Sequence, residues 1–153
     1  MKKIGEYTAR GIVTEVQTGA GDPQKIPLFD GSFKTAYRVT SFKIWPSNVG
    51  GGSSGDAVGK LSKNASGSTG STNFMRADDD NQIAWAGCSN STDFFIEHTD
   101  IIDKDNLVVE DLYVYVRCAT DANNINYIVT MEKYEISDWQ GALAMARDRA
   151  DGE

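Results

Sequence analysis

The chain is poor in the residues that most often carry chemistry. It holds a single histidine, His98, and two cysteines, Cys88 and Cys118. One histidine cannot build a multi-histidine metal site, and no cysteine lies beside it to suggest a nucleophilic pair. A solvated or hydrogen-bonded ring at a strand end is expected instead. Two cysteines are too few for a disulfide scaffold, so buried thiols are expected ahead of a bridge. No G-x-S-x-G elbow, H-E-x-x-H helix or G-x-G-x-x-G fingerprint is present. Gly59-Lys60 superficially matches a phosphate loop, but the glycine spacing is wrong and Leu61 stands where magnesium needs a Ser or Thr. The sequence therefore predicts no catalytic, cofactor-binding or metal-binding residue, and no enzyme.

Long apolar runs are missing too. The mean hydropathy is −0.40, and no stretch approaches the roughly 20 apolar residues that span a bilayer as a helix. The opening MKKIGEYTARG carries two lysines with no apolar stretch after them, so no secretory signal is expected there. Basic charge is in deficit: 22 acids face 15 lysines and arginines, for a formal charge of −7. A sequence-independent nucleic-acid binder needs a basic footprint to release counterions from phosphate. Nucleic acid and anionic membranes are both excluded as expected partners.

What remains is β-strand signal. With 153 residues and 40% hydrophobic content, one domain with one modest core is expected. Residues 1–136 read as a single β domain, and 137–153 as a C-terminal helix and tail. Ile4–Val16 has strand-like density, with Gly11 marking a bulge or a close backbone approach. Asp30-Gly31 suits a tight turn with positive φ. In Phe33–Trp45, Tyr37 and Val39 share one parity while Phe42 and Ile44 take the other. That break predicts a bulge near Thr40–Ser41 or burial of both faces. Asn73–Arg76 is expected as a short strand and Gln82–Ala86 as a compact one. Leu107–Cys118 and Ile125–Tyr134 are the strongest strands, and the polar residues Ala119–Asn124 between them predict a hairpin. The expected architecture is an antiparallel β-sandwich or jelly-roll-like domain.

A long polar run interrupts this framework. Pro46–Ser71 reads PSNVGGGSSGDAVGKLSKNASGSTGS and is expected as a Gly/Ser-rich loop at about 46–72 that buries almost no apolar area. Val58 and Leu61 are its only candidate anchors, with a short strand there as the alternative. Two acidic clusters offer hard oxygen ligands: Asp78-Asp79-Asp80-Asn81, and Asp100 with Asp103, Asp105 and Asn106. Turn chemistry accounts for both without a metal, since Asp and Asn bond their own backbone. Glu110-Asp111, inside an otherwise apolar stretch, suggests a strand edge, an interface, or an ion pair to Arg117 or Arg38.

The C-terminal segment changes character. Ser137 with Gln140 three residues on forms a capping box. Trp139, Ala142, Leu143, Ala146 and Ala150 then fall on one face of a helix of about 12–14 residues. Trp139 and Leu143 are the candidate interface residues, as anchors in a neighbouring protein.

Several stretches carry a resemblance: KKIGEYTARG, KIPLFDG with the following AYRVTSFKIW, NQIAWA, IIDKDNLVVEDLYVYV and NYIVTMEKYEISDWQGALAMARDRA. Together they cover most of the chain outside the polar run, and they resemble small structural proteins of marine tailed bacteriophages. The resemblance implies a virion component, a capsid decoration (cement) protein or another small head or tail protein, assembled in the host cytoplasm. It implies major capsid or other virion proteins and further copies of the chain as partners. A carbohydrate-binding module is the alternative, with Trp45 and Trp85 stacking on sugars. Coplanar, exposed tryptophans would favour that alternative.

Overall fold

The computed structural model describes residues 1–14, 23–47, 57–64, 75–90, 96–118 and 124–137, together with Leu143. Its strands are β1 (Lys2–Thr14), β2 (Gln24–Ile26), β3 (Thr35–Pro46), β4 (Ala57–Ser62), β5 (Gln82–Asn90), β6 (Ile96–Ile102), β7 (Leu112–Cys118) and β8 (Asn124–Glu135). They form two sheets, ordered β1-β8-β3 and β2-β7-β4-β5-β6. Every pairing is antiparallel. The protein is mainly β.

Period-two alternation builds the core. Ile125, Tyr127, Val129 and Met131 of β8 point one way, with Tyr37, Val39, Phe42 and Ile44 of β3. They join Leu61, Ala84, Ala86, Leu112 and Val114 from the five-stranded sheet in one buried cluster. The parity break in β3 is a bulge: the register with β8 shifts between Val39 and Ser41. The extra residue returns Phe42 and Ile44 to the face that Tyr37 and Val39 already use. Gly11 is a close approach. A Cβ there would lie 2.8 Å from the Tyr127 hydroxyl oxygen, so the Tyr127 ring crosses β1 only because position 11 carries no side chain. Gly31 turns with φ +88°, as the Asp-Gly dipeptide predicts.

Two expectations fail here. Leu112–Cys118 and Asn124–Glu135 do not make a hairpin: β7 pairs with β2 and β4, whereas β8 pairs with β1 and β3. β7 and β8 belong to different sheets, and the polar composition between them cannot distinguish that arrangement from a hairpin. The second failure is larger. The polar run contains β4, which is hydrogen-bonded to β7 on one side and β5 on the other. Ala57, Gly59, Lys60, Leu61 and Ser62 are all buried. Leu61 is fully buried in the core, where such a side chain contributes roughly 1.5–3 kcal/mol. Gly59 faces the opposite sheet. Its hypothetical Cβ would come within 3.3 Å of the Ile44 Cδ1. Glycine here is a packing residue, and reading it as a sign of loop was the error.

Met75 and Arg76 are not in a strand, and the rest of Asn73–Arg76 lies outside the described residues. Of the expected helix after Ser137, only Leu143 is described.

Candidate functional site

The sheet edges divide into closed and open ones. The outer edge of β3 is capped at Tyr37, Phe42 and Ile44. Tyr37 exchanges two backbone hydrogen bonds with Val108, both 2.8 Å. Further on, the Asp100 carboxylate of β6 accepts from the Phe42 amide at 3.1 Å and from Lys43 Nζ at 2.8 Å. His98 Nδ1 lies 3.1 Å from the Ile44 carbonyl; a carbonyl only accepts, so Nδ1 carries the proton and donates. Side chains from β6 thus satisfy the backbone that a further strand would otherwise pair. Burial pushes the Asp100 carboxyl up, but the Lys43 ammonium and the Phe42 amide outweigh it and hold the group below its ordinary value.

β2 is kept short, at three residues. Just beyond it, Asp111 accepts from the Leu28 and Phe29 amides at 2.8 and 3.1 Å and pairs with Lys25 at 3.2 Å. This corrects the reading of Glu110-Asp111: Asp111 precedes β7 and ties down a turn, and neither Arg117 nor Arg38 is its ion partner. Burial raises the Asp111 carboxyl, and the two amides with Lys25 bring it net below the ordinary range.

β1 is treated differently. It is 13 residues long, pairs with β8 on one side, and among the described residues has no strand on the other. Only Ala9 and Val13 are buried in it. Ile4, Tyr7 and Ile12 are 49%, 43% and 52% exposed. From Glu6 onward the alternation is regular: Tyr7, Ala9, Gly11 and Val13 lie on the core face, while Glu6, Thr8, Arg10 and Ile12 face out. A bulge sits between Lys3 and Gly5. Lys3 Nζ reaches Glu6 at 3.1 Å and Glu132 at 3.7 Å. The Tyr134 hydroxyl donates to Glu132, and this bond first, then Lys3 and Arg38, holds the Glu132 carboxyl below its usual value. A long exposed strand edge with apolar side chains is a template for pairing with another chain.

The outward face of the five-stranded sheet holds a buried cation. Lys60 is 1% exposed, and its ammonium lies 5.2 Å from the centre of the Tyr115 ring. Burial lowers the Lys60 pKa and raises that of Tyr115 to about 12. The Tyr115 hydroxyl donates to the Asn64 carbonyl at 3.2 Å, and Trp85 Nε1 donates to Gln82 at 2.9 Å. Lys60 is thus enclosed in a packed polar layer against Tyr115. An open cleft of about 160 Å³ lies nearby, lined by Phe29, Lys63, Glu110, Asp111 and Tyr113. It falls below the roughly 300–1,000 Å³ of small-ligand sites.

The predicted residues fare unevenly. Trp139 lies outside the described residues, and Leu143 is 56% exposed. Trp45 and Trp85 are both half-buried, on outward positions of β3 and β5 in different sheets. They do not form one stacking platform. Trp45 instead meets His98 edge-on. Members of both acidic clusters serve local structure: Asp79 accepts from the Asn81 amide, Asp103 from the Asp105 amide, Asp78 pairs with Arg76, and Asp100 caps the β3 edge. Among the described residues, no three His, Cys, Asp or Glu side chains converge as a metal site. Cys88 is buried. Cys88 and Cys118 both lie opposite Ala57, on either side of it, so about 9–10 Å separates their backbones. That is too far for a disulfide. The open edge of β1 was missed in the sequence, because the alternation of Glu6, Thr8, Arg10 and Ile12 with Tyr7, Ala9, Gly11 and Val13 marks the two faces of a strand and not its edge.

No protein-family model matches this chain, and no curated protein or solved structure matches it either.

Proposed function

We propose that this chain is a non-enzymatic structural protein of a tailed-bacteriophage virion, a capsid decoration or cement protein or another small head or tail component. It works in many copies, and its partners are the major capsid or other virion proteins and further copies of itself. In this reading the two sheets form a jelly-roll-like β-sandwich, and a C-terminal helix carrying Trp139 and Leu143 docks on a neighbour. Assembly takes place in the host cytoplasm and the product resides in the virion. Nucleic acid and membrane are not partners, in keeping with the charge of −7.

The observation that carries the reading is the contrast between sheet edges. A fold that caps β3 with Asp100 and His98 and stops β2 after three residues leaves the 13 residues of β1 without a strand partner on one side among the described residues. Open edges are a liability in a monomer and an asset in an assembly. The resemblance to phage structural proteins supplies the setting. Antibody against the chain, applied to purified virions and viewed by electron microscopy, tests it. Regular labelling of heads or tails is expected. Unlabelled intact particles, with the chain abundant in the lysate, would overturn the reading.

A further inference from the structure

The open edge of β1 is self-complementary. We propose that two copies of this chain pair through it, β1 antiparallel to β1 about a two-fold axis at Thr8. The two three-stranded sheets then become one six-stranded sheet. The proposal rests on the reading that copies of the chain assemble, and it adds the surface, the symmetry and the register.

Register follows from which residues face which way. In an antiparallel pair, directly opposed side chains share a face. The exposed face of β1 carries Glu6, Thr8, Arg10 and Ile12, with Ile4 at the bulge. Centring the axis on Thr8 sets Glu6 opposite Arg10 of the second copy, and symmetry makes that pair twice. The same register sets Ile4 opposite Ile12 of the second copy. On the core face, Gly5 meets Gly11 and Tyr7 meets Ala9, so no two bulky side chains collide.

Neighbouring registers lose this match. An axis at Tyr7 puts Glu6 opposite Thr8 and Ile4 opposite Arg10. An axis at Ala9 buries Glu6 against Ile12. An axis between residues opposes exposed-face residues to core-face ones, which the pleat forbids. The Thr8 register alone pairs both charges and both isoleucines. Backbone pairing along β1 adds about one hydrogen bond per paired residue.

The occupant is therefore a second copy. Past the bulge, from Glu6 to Ile12, the charges balance, one glutamate against one arginine, and they match when the sequence is read against itself in reverse.

Sedimentation velocity on the purified full-length chain, over a concentration series, tests this. The wild-type chain is expected to dimerise. E6R opposes two arginines at each of two symmetric positions, and R10E opposes two glutamates. Each single change should weaken the dimer by about tenfold or more, while E6R/R10E together should restore it. Circular dichroism checks that every variant is folded, which the exposed positions make the expected result. A chain that stays monomeric throughout would overturn the proposal. So would a dimer that ignores the single changes, or folded variants in which the double change fails to restore pairing. A monomer that still enters virions would sink this pairing and leave the virion reading standing. A Thr8-centred dimer absent from virions would do the reverse.

Discussion

Replacing Leu61 with alanine tests whether the Gly/Ser-rich run contributes a central strand. Leu61 is fully buried in β4, between β7 and β5, inside the shared core. Removing its isobutyl group forfeits the burial free energy and leaves a void, a combined cost of roughly 2–5 kcal/mol. For a domain of this length, a loss of about 3 kcal/mol lowers the melting temperature by about 6–12 °C. Val58 on the same strand is the internal control. It is 41% exposed, and its truncation to alanine should cost less than about 1 kcal/mol. Gly59→Ala sharpens the test because its sign is informative. In a strand, alanine for glycine ordinarily stabilises by restricting the unfolded chain. Here the new Cβ would sit 3.1 Å from the Tyr115 carbonyl oxygen and 3.3 Å from Ile44 Cδ1. The carbonyl belongs to a paired strand and cannot move cheaply, so destabilisation is expected. Urea denaturation followed by tryptophan fluorescence and circular dichroism reads all three variants. A Leu61→Ala loss below about 1 kcal/mol, indistinguishable from Val58→Ala, would refute the placement of β4.

The seam between β3 and β6 gives a second prediction. Asp100→Ala leaves the Phe42 amide without its acceptor and should cost about 1–3 kcal/mol, while Asp100→Asn, which still accepts, should cost less; equal losses would contradict the capping role. Acid stability follows from the same groups. Asp100 and Asp111 have folded pKa values below the ordinary carboxylate, so their contribution is complete above the unfolded value of about 3.9 and is lost as pH falls through the lower folded values. Urea midpoints should hold down to about pH 5 and drop below about pH 4, with a smaller drop in an Asp100→Asn/Asp111→Asn variant; an unchanged drop would mean other carboxylates dominate. Alanine at both Trp139 and Leu143 should abolish incorporation into particles with the domain still folded. Unfolding would show that these side chains are core cover, and normal incorporation that the anchors lie elsewhere.

Much of the β framework was legible because its signals are local. The conflict between Tyr37/Val39 and Phe42/Ile44 forced a bulge, and the register shift between Val39 and Ser41 is that bulge. Gly11 stood out in a strand of larger residues, and the Tyr127 ring lies over it. His98 was expected as a solvated or hydrogen-bonded ring at a strand end; it lies within β6 and bonds the Ile44 carbonyl. What was lost depends on partners distant in the chain. β4 shows only Ala57 and Leu61 as apolar inward residues, too few for alternation to register, and its Lys60 reads as solvated until Tyr115 is placed against it. β7 and β8 adjoin in sequence, yet which sheet each joins is set by β4 and β1, far from the loop between them. The open edge was hidden for the same reason: a strand's sequence records its faces, while its edge becomes visible only when every other strand has been assigned.

The central claim is that many copies of this chain are built into a virus particle. Quantitative mass spectrometry of gradient-purified virions, referenced to the major capsid protein, measures it directly. A fixed, multi-copy stoichiometry that survives repeated purification is expected. A chain abundant in the lysate but absent from the particles, or present in traces that wash away, would contradict it.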